Sequence, residues 1–305
     1  MYDFPICDLH CDTVSYAYDH GLSIYDNSLC ANILKMKKFS NFTQVFAIFI
    51  SPKYYDNPQK RCKILLDYIN NEIKKYPDDI CICKNFSDIL HTNSKKKISS
   101  LLSIEGGEGI YSISDMEYFY SRGVRIITPS WNNENHIASE NGLSPFGKEL
   151  LKKMNETGII YDLSHASKNT FSDVLSLTKK PVILSHSNSF SICPHKRNIT
   201  DEQFLQIKKI NGVVGINFYP PFLNKKGNAT IDDVILHIMH FLSLNGENNI
   251  CIGSDFDGAS QYAKGLSSVS DILKIFDILA KKGVSREILK KIAYKNAYRV
   301  MNICL

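Results

Sequence analysis

No apolar run in this 305-residue chain is longer than Val45 to Ile50, far short of the roughly 18 residues that a membrane-spanning helix needs. No membrane partner is expected. The opening Met1-Tyr2-Asp3-Phe4-Pro5-Ile6-Cys7-Asp8 has no basic region, long apolar stretch or small-residue cleavage site of the kind that marks a secretory leader, so the chain reads as cytoplasmic. C-x-x-C pairs are absent, and the 9 cysteines sit mostly inside apolar runs such as Ile80-Cys81-Ile82-Cys83. In a reducing compartment these read as buried free thiols. Charge of one sign is scarce too: 36 Lys+Arg against 31 Asp+Glu leave +5, and the basic residues form short clusters such as Lys95-Lys96-Lys97 rather than a stripe. Nucleic acid is therefore not an expected partner. No G-x-G-x-x-G follows an apolar run; Gly106-Gly107-Glu108-Gly109 comes nearest and lacks the spacing, which leaves a dinucleotide fold without support. Gly/Ser-rich linkers, repeats and low-complexity tracts are missing as well, so residues 1–305 read as one domain.

What is present is enough for a full core: 44% hydrophobic and 22% charged residues are globular proportions. Eight short, β-rich apolar runs alternate with amphipathic stretches: Phe4 to Leu9, Thr43 to Ile50, Ile98 to Ile104, Val124 to Thr128, Gly158 to Leu163, Pro181 to Ser185, Gly212 to Phe218 and Asn249 to Ser254. Helix starts lie between them, at Ser144-Pro145 and at the capping-box spacing Thr200-x-x-Gln203. Near-continuous apolar strands alternating with helices indicate a parallel sheet covered on both faces. Eight such units in about 250 residues predict an α/β fold closed as a single (β/α)8 barrel of the TIM type.

In that fold the chemistry sits where strands end, and five of the runs end in ionisable residues. These are Asp8-Leu9-His10-Cys11-Asp12, Glu105-Gly106-Gly107, Asp162-Leu163-Ser164-His165, Ser185-His186-Ser187 and Ser254-Asp255-Phe256-Asp257. Two residues apart in extended chain, His10 and Asp12 face the same way and Cys11 away. One histidine in a core is usually a satisfied polar group, but His10, His165 and His186 with Asp12 and Glu105 make three imidazoles and two carboxylates on one rim. That set suits zinc or a similar divalent metal. Five ligands exceed what one open catalytic zinc takes, which suggests two ions sharing Glu105, central in strand order, as bridge. Two metals about 3.5–4 Å apart serve hydrolysis. His237 and His240, three apart on a helix leading into a strand's start, lie at the wrong end of the barrel and read as structural.

These motifs, together with Gly123-Val124-Arg125, Gly142-Leu143-Ser144-Pro145-Phe146-Gly147, Lys196-Arg197-Asn198, Asn217-Phe218-Tyr219 and Asn296-Ala297-Tyr298-Arg299-Val300, resemble the membrane (renal) dipeptidases, peptidase family M19. These are metal-dependent hydrolases on an amidohydrolase-like barrel, and the match covers most of the chain. The resemblance implies a dipeptide substrate and two zinc ions, with His10 and Asp12 on the first metal, His165 and His186 on the second, and Glu105 between them. It further implies that Arg197 holds the substrate's terminal carboxylate, that Asp255 faces its free amino group and moves a proton to the departing amine, and that Tyr219 lends a phenol to the carboxylate. Asp257 is expected only to support a loop. Trp131 stands where the mammalian members carry a histidine that stabilises the tetrahedral intermediate; indole donates one hydrogen bond but carries no charge. Asn132 and Asn133 are the neighbouring groups available to compensate. Tolerance of a D-residue at the second position and a homodimer come from the resemblance only, and the signal peptide, disulfides and lipid anchor of the mammalian members find no support here.

Two other readings stay open on the residues. One is another amide or ester hydrolase of the same superfamily, D-aminoacylase-like or lactonase-like, which a requirement for a free amino terminus would exclude. The other is a weakly active relative that binds metal or peptide, which turnover by metal-replete protein would exclude.

Overall fold

The computed structural model describes residues 4–305; Met1, Tyr2 and Asp3, on which part of the leader reading rests, lie outside the described residues. Its strands are β1 (Ile6–Cys11), β2 (Phe42–Phe49), β3 (Ile80–Ile82), β4 (Ile98–Glu105), β5 (Val124–Thr128), β6 (Ala138–Ser139), β7 (Gly142–Leu143), β8 (Ile160–Tyr161), β9 (Ile183–Leu184), β10 (Val213–Ile216) and β11 (Ile250–Ile252). Apart from the antiparallel β6–β7 hairpin, pairing is parallel in the order β8-β5-β4-β2-β1-β11-β10-β9. A bridge from Asp162 to Ile183 joins the end of β8 to β9 and completes the ring. The expected (β/α)8 barrel forms, and each of the eight expected runs supplies one strand. β3 is additional. It lies against the first residues of β4, from Ile98 to Ser100, where β5, whose first partner is Leu102, has not yet begun.

The pleat divides the apolar side chains into two cores. Cys7, Leu9, Val45, Leu101, Ile126, Ile160, Ile183, Val213 and Cys251 meet inside the ring, one or two from each barrel strand. Outward residues such as Ile6, Phe46, Ile104, Ile127, Ile216 and Ile252 pack with the helices in a larger cluster. Each fully buried aliphatic side chain contributes about 1.5–3 kcal/mol. The helix Asn296–Cys304 sets Ala297, Tyr298, Val300, Met301 and Cys304 against the inner core, and the Tyr298 hydroxyl is hydrogen-bonded to Thr43 Oγ1 at 2.7 Å. With that end of the barrel covered, the polar side chains of the other mouth face the open cleft.

The helix starts behave as their sequences imply. Ser144 accepts from the Gly147 N–H at 2.9 Å, and Thr200 and Gln203 cap each other reciprocally. A further capping box, Thr230 with Asp233, opens the helix Ile231–Ser243, which carries His237. His237 is fully buried. Its Nδ1 accepts from the Ser189 N–H at 3.0 Å and its Nε2 donates to the Leu223 carbonyl at 2.9 Å, so it braces the loop after β9 as a neutral imidazole. His240 pairs with Asp201 at 2.8 Å. Both are structural, as expected, but they brace segments that follow β9 and β10 on the mouth side rather than lying at the barrel's opposite end, because the helix packs against those loops on its way to β11.

Burial, only partly offset by the Leu223 carbonyl and Asp233 and reinforced by His240, lowers the pKa of His237 to about 4. The unfolded chain therefore takes up this proton near pH 6.5 and the folded chain does not. The stabilisation is complete above pH 6.5 and falls by up to about 3 kcal/mol as the pH drops to 4. Urea unfolding of wild type and His237→Gln between pH 7 and 4 should show a shallower acid loss in the variant; parallel curves would show that His237 titrates in the folded state.

Candidate active site

β1 delivers the first ligand pair through a local irregularity. Asp8, fully buried, accepts from the Ser254 N–H at 2.9 Å and the Ser254 hydroxyl at 2.5 Å, locking β1 to the end of β11. The pairing of β1 with β2 shifts register between Asp8 and Cys11. Leu9 belongs to the inner core and Cys11 to the outer one, so the facing of the strand changes between them, the re-aiming that bulges beside active sites produce. Asp12 is not in the strand at all; it is the N-cap residue of the helix Thr13–Asp19. His10 and Asp12 do converge, with Nε2 to Oδ2 at 3.4 Å. The cause is this bulge followed by a helix start rather than plain strand alternation.

Glu105, the last residue of β4, sits at the centre. Its Oε2 is 3.4 Å from His10 Nε2, and its Oε1 is 2.9 Å from His165 Nε2 and 3.5 Å from His186 Nε2. The ligand atoms of His10, Asp12 and Glu105 lie within 4.8 Å of one another, as do those of Glu105, His165 and His186. These are the two groups expected, sharing Glu105. A third grouping, His10, His186 and Asp255, shows that Asp255 borders the same space.

The outer nitrogens of the imidazoles are held by oxygen. His165 Nδ1 faces Asn132 Oδ1 at 3.0 Å and His186 Nδ1 faces Ser185 Oγ at 2.8 Å. The Ser185 hydroxyl itself donates to Asp162 Oδ2 at 2.6 Å, which leaves its oxygen to accept from His186. Asp162 also accepts from Thr128 Oγ1 (2.7 Å), from the backbone and hydroxyl of Ser164 (3.0 and 2.7 Å), and from the Ser185 N–H (2.9 Å). One carboxylate thus ties β5, β8 and β9 together beneath two ligands. With Nδ1 protonated, the Nε2 lone pairs of His165 and His186 point at each other across 3.0 Å. Among the described residues, buried His10 Nε2 and Asp12 Oδ1 have no hydrogen-bond partner. Facing lone pairs and orphaned donor atoms around a shared carboxylate fit divalent cations.

The electrostatics are those of crowded buried acids. Burial, with Glu105 next, raises Asp12 to about 6. Burial raises Asp255 to about 7, against the pull of His10 and with Asp12 and Glu105 adding to the rise. Burial alone would lower His10, but the adjacent carboxylates of Glu105 and Asp12 win and push it well up. Burial holds His165 and His186 well down, assisted by Arg197 in the first and His10 in the second.

Arg197 is buried, not a surface arginine. Its Nη1 donates to the Ser164 carbonyl, and its Nη2 lies 2.7 and 2.9 Å from the Nε2 atoms of His165 and His186. Among the described residues no carboxylate reaches ion-pair distance of it, and burial lowers its pKa to about 10. Asp255, at positive φ (62°), accepts from Asn217 Nδ2 at 2.9 Å. Asp257 takes the loop role: it accepts from Thr13 Oγ1 (2.6 Å) and from the N–H groups of Cys30 and Ala31. Gly258 is required beside them, since a Cβ there would meet Asp12 Oδ2 at 2.1 Å and Asp255 Oδ1 at 2.7 Å. Trp131 and Tyr219 line the same cleft of about 540 Å³; the Trp131 ring lies 4.9 Å from Phe49 and 5.8 Å from His165. Asn132 orients His165 through its Oδ1 and lines the cleft. Residue reading gave Asp8, Asp162, Ser185 and Asn217 no role, although a carboxylate or amide at a strand end is the signal that could have found them.

A family model described as membrane dipeptidase (peptidase family M19) matches residues 1–304. The chain belongs to that family. This M19 chain is 33% identical over 290 residues to an uncharacterized dipeptidase, C965.12, of Schizosaccharomyces pombe, covering 87% of this chain and 68% of that one. It is 34% identical over 249 residues to dipeptidase aclJ of Aspergillus oryzae, covering 77% and 59%, so it spans between about three-fifths and two-thirds of these relatives' lengths. Among solved structures, a metallo peptidase from Rhodobacter sphaeroides, liganded with a phosphinate mimic of the dipeptide L-Ala-D-Ala, superposes with a TM-score of 0.92 at 22% identity over 100% of both chains. The probable dipeptidase PvdM from Pseudomonas aeruginosa gives 0.89 at 18% identity, over 99% of this chain and 95% of that one. Both share the barrel fold. No helix among the described residues is long and apolar enough to cross a membrane.

Replacing the carboxylate that holds Ser185 should loosen the candidate metal ligands without touching one. Asp162→Asn is expected to weaken zinc binding, read by competition with a chelating dye, about 10–100-fold. Wild-type affinity in the folded variant would remove Asp162 from the account of the site.

Proposed function

We propose that this chain is a metallo-dipeptidase that hydrolyses free dipeptides at a binuclear centre held by His10, Asp12, Glu105, His165 and His186. One observation carries the reading. Beside the cluster of imidazoles and carboxylates, the cleft contains a buried guanidinium, Arg197, with no carboxylate partner among the described residues, and a buried carboxylate, Asp255. An unpaired buried cation is costly, and a substrate that brings its own carboxylate removes that cost. A free dipeptide offers a carboxylate for Arg197, an ammonium for Asp255 and one amide between them. Two bound divalent cations, zinc first among them, would supply Lewis-acid polarisation of that amide and a water of lowered pKa.

The chain's own groups then divide the work. Arg197, on the loop after β9, turns its planar fork to the terminal carboxylate, with the Tyr219 phenol beside it. Asp255, after β11, orients the amino group and returns a proton to the departing amine. Glu105 and the three imidazoles hold the ions, Asp162 and Ser185 hold His186, and Asn132 holds His165. Trp131 and Phe49 wall the cleft with aromatic surface and bring no charge to it. Two charged anchors at fixed separation restrict the substrate to two residues. The Rhodobacter sphaeroides relative's L-Ala-D-Ala mimic makes an L,D-dipeptide a natural member of the test panel.

Zinc-loaded protein should cleave L,L- and L,D-dipeptides and leave a tripeptide and an N-acetylated dipeptide intact. Equal cleavage of the N-acetylated compound would show an aminoacylase-like enzyme instead, and no cleavage of any compound would sink the reading. Arg197→Ala should lower kcat/KM on dipeptides about 100-fold or more, the scale of a lost buried charge-assisted pair; an unaffected variant would remove the carboxylate anchor.

A further inference from the structure

The cleft extends well beyond the metal ligands. Its far wing is formed by Ser15, Tyr16, Asp19, His20, Lys53 and Arg61, none of which serves the centre. Barrel order gives this wing a direction. Going round the ring from β9, which is followed by Arg197, the strands are β10, β11, β1 and β2, so the segment after β2 that carries Lys53 lies diametrically across the mouth from the carboxylate anchor. Asp255, after β11, lies between them. A dipeptide tethered at Arg197 with its amide over Glu105 therefore points its first residue toward the wing.

The charges there are unevenly satisfied. Asp19 is shared by three donors: Oδ1 accepts from Arg61 Nη2 at 2.8 Å and from the Tyr54 hydroxyl at 3.1 Å, and Oδ2 faces Lys53 Nζ at 3.4 Å. Arg61 first, then Tyr54 and Lys53, outweigh burial and hold its pKa below the usual range. The donors are in excess. Arg61 is almost wholly buried, its guanidinium lies 4.1 Å from the Tyr54 ring centre and 5.1 Å from that of Tyr18, and its buried Nε has no hydrogen-bond partner. Lys53, largely exposed, reaches Asp19 only at 3.4 Å and lies 4.9 Å over the Tyr54 ring. Two cations against one carboxylate leave one positive charge, and His20, stacked on Tyr16 at 4.1 Å, adds no acid. Asp257, the other acid at this edge, is already filled by Thr13, Cys30 and Ala31.

We infer that this wing is the subsite for the side chain of the substrate's first residue, and that Lys53 and Arg61 select dipeptides with an acidic residue, Asp or Glu, at that position. The inference rests on the dipeptidase reading and names its substrate class. A spare buried N–H and a loosely held ammonium ask for an acceptor, and a carboxylate meets both with charge as well as hydrogen bonds. A basic side chain would meet two like charges and a carboxylate already shared by Arg61, Tyr54 and Lys53.

The test compares kcat/KM of zinc-loaded enzyme on L-Glu-L-Ala and its neutral isostere L-Gln-L-Ala, with L-Ala-L-Ala and L-Lys-L-Ala alongside. The Glu over Gln preference should be about fivefold, carried by KM, and should shrink with added salt because Lys53 is exposed. Arg61 is buried and its replacement risks the fold, so the variants are Lys53→Gln and Lys53→Glu. The first should reduce the ratio, and the second should bring it to one or below and raise turnover of L-Lys-L-Ala. Cleavage of all four peptides with a wild-type ratio of one or less, or a ratio that Lys53→Glu leaves unmoved, overturns this inference alone. No cleavage of any peptide overturns the dipeptidase reading, and the subsite with it.

Discussion

Everything at the mouth of this barrel depends on Glu105 being surrounded by three imidazoles in a place where water cannot share the load. The residue ends β4, is nearly inaccessible, and brings ligand atoms from β1, β8 and β9 to one point. Such a cluster is unfavourable unless something of opposite character completes it, because burying several donors and acceptors without partners costs more than their mutual hydrogen bonds return. The orphaned His10 Nε2 and Asp12 Oδ1 are where that cost is concentrated. The barrel withstands it because the other end is closed by two apolar cores and the helix Asn296–Cys304.

The ligands are aimed by residues that never reach the centre. Asp162 gathers five hydrogen bonds from three strands, and Asp8 clamps β1 to Ser254. Each is a buried carboxylate filled by neutral donors, so each can hold geometry without competing for a cation. The same division separates Asp255 from Asp257: two residues apart, both at positive φ and both lining the cleft, Asp255 accepts from Asn217 while Asp257 is filled by Thr13, Cys30 and Ala31. Arg197 and the Lys53–Arg61 pair extend the pattern in the opposite sense, as cations whose partners the protein does not fully supply.

Much of this was legible in residues alone. The eight runs became eight barrel strands, His237 and His240 proved structural, Asp257 took the loop role, and the five ligand candidates converge in two groups around Glu105. A run of apolar residues ending in His, Asp or Glu carries its meaning locally, because strand alternation and the barrel's open mouth assign such ends a place. β3 escaped notice, since three residues laid along the start of β4 show no period. The means by which Asp12 reaches His10 was also hidden, because a bulge and a helix cap replace the regular alternation that the spacing suggested.

By itself the sequence determined the closed α/β barrel and the inventory of candidate ligands, which follow from periodicity and from residue types at strand ends, while its ordered motifs carried the resemblance to the family. Tertiary structure alone decided which donors fill Asp257, that Arg197 is buried and, among the described residues, lacks a carboxylate partner, that Asp162 supports His186 through Ser185, and that Lys53 lies across the mouth from Arg197. These are relations between residues far apart in the chain. Hydrogen-bond saturation and charge balance depend on every neighbour that closure of the ring brings in, and no local pattern records them.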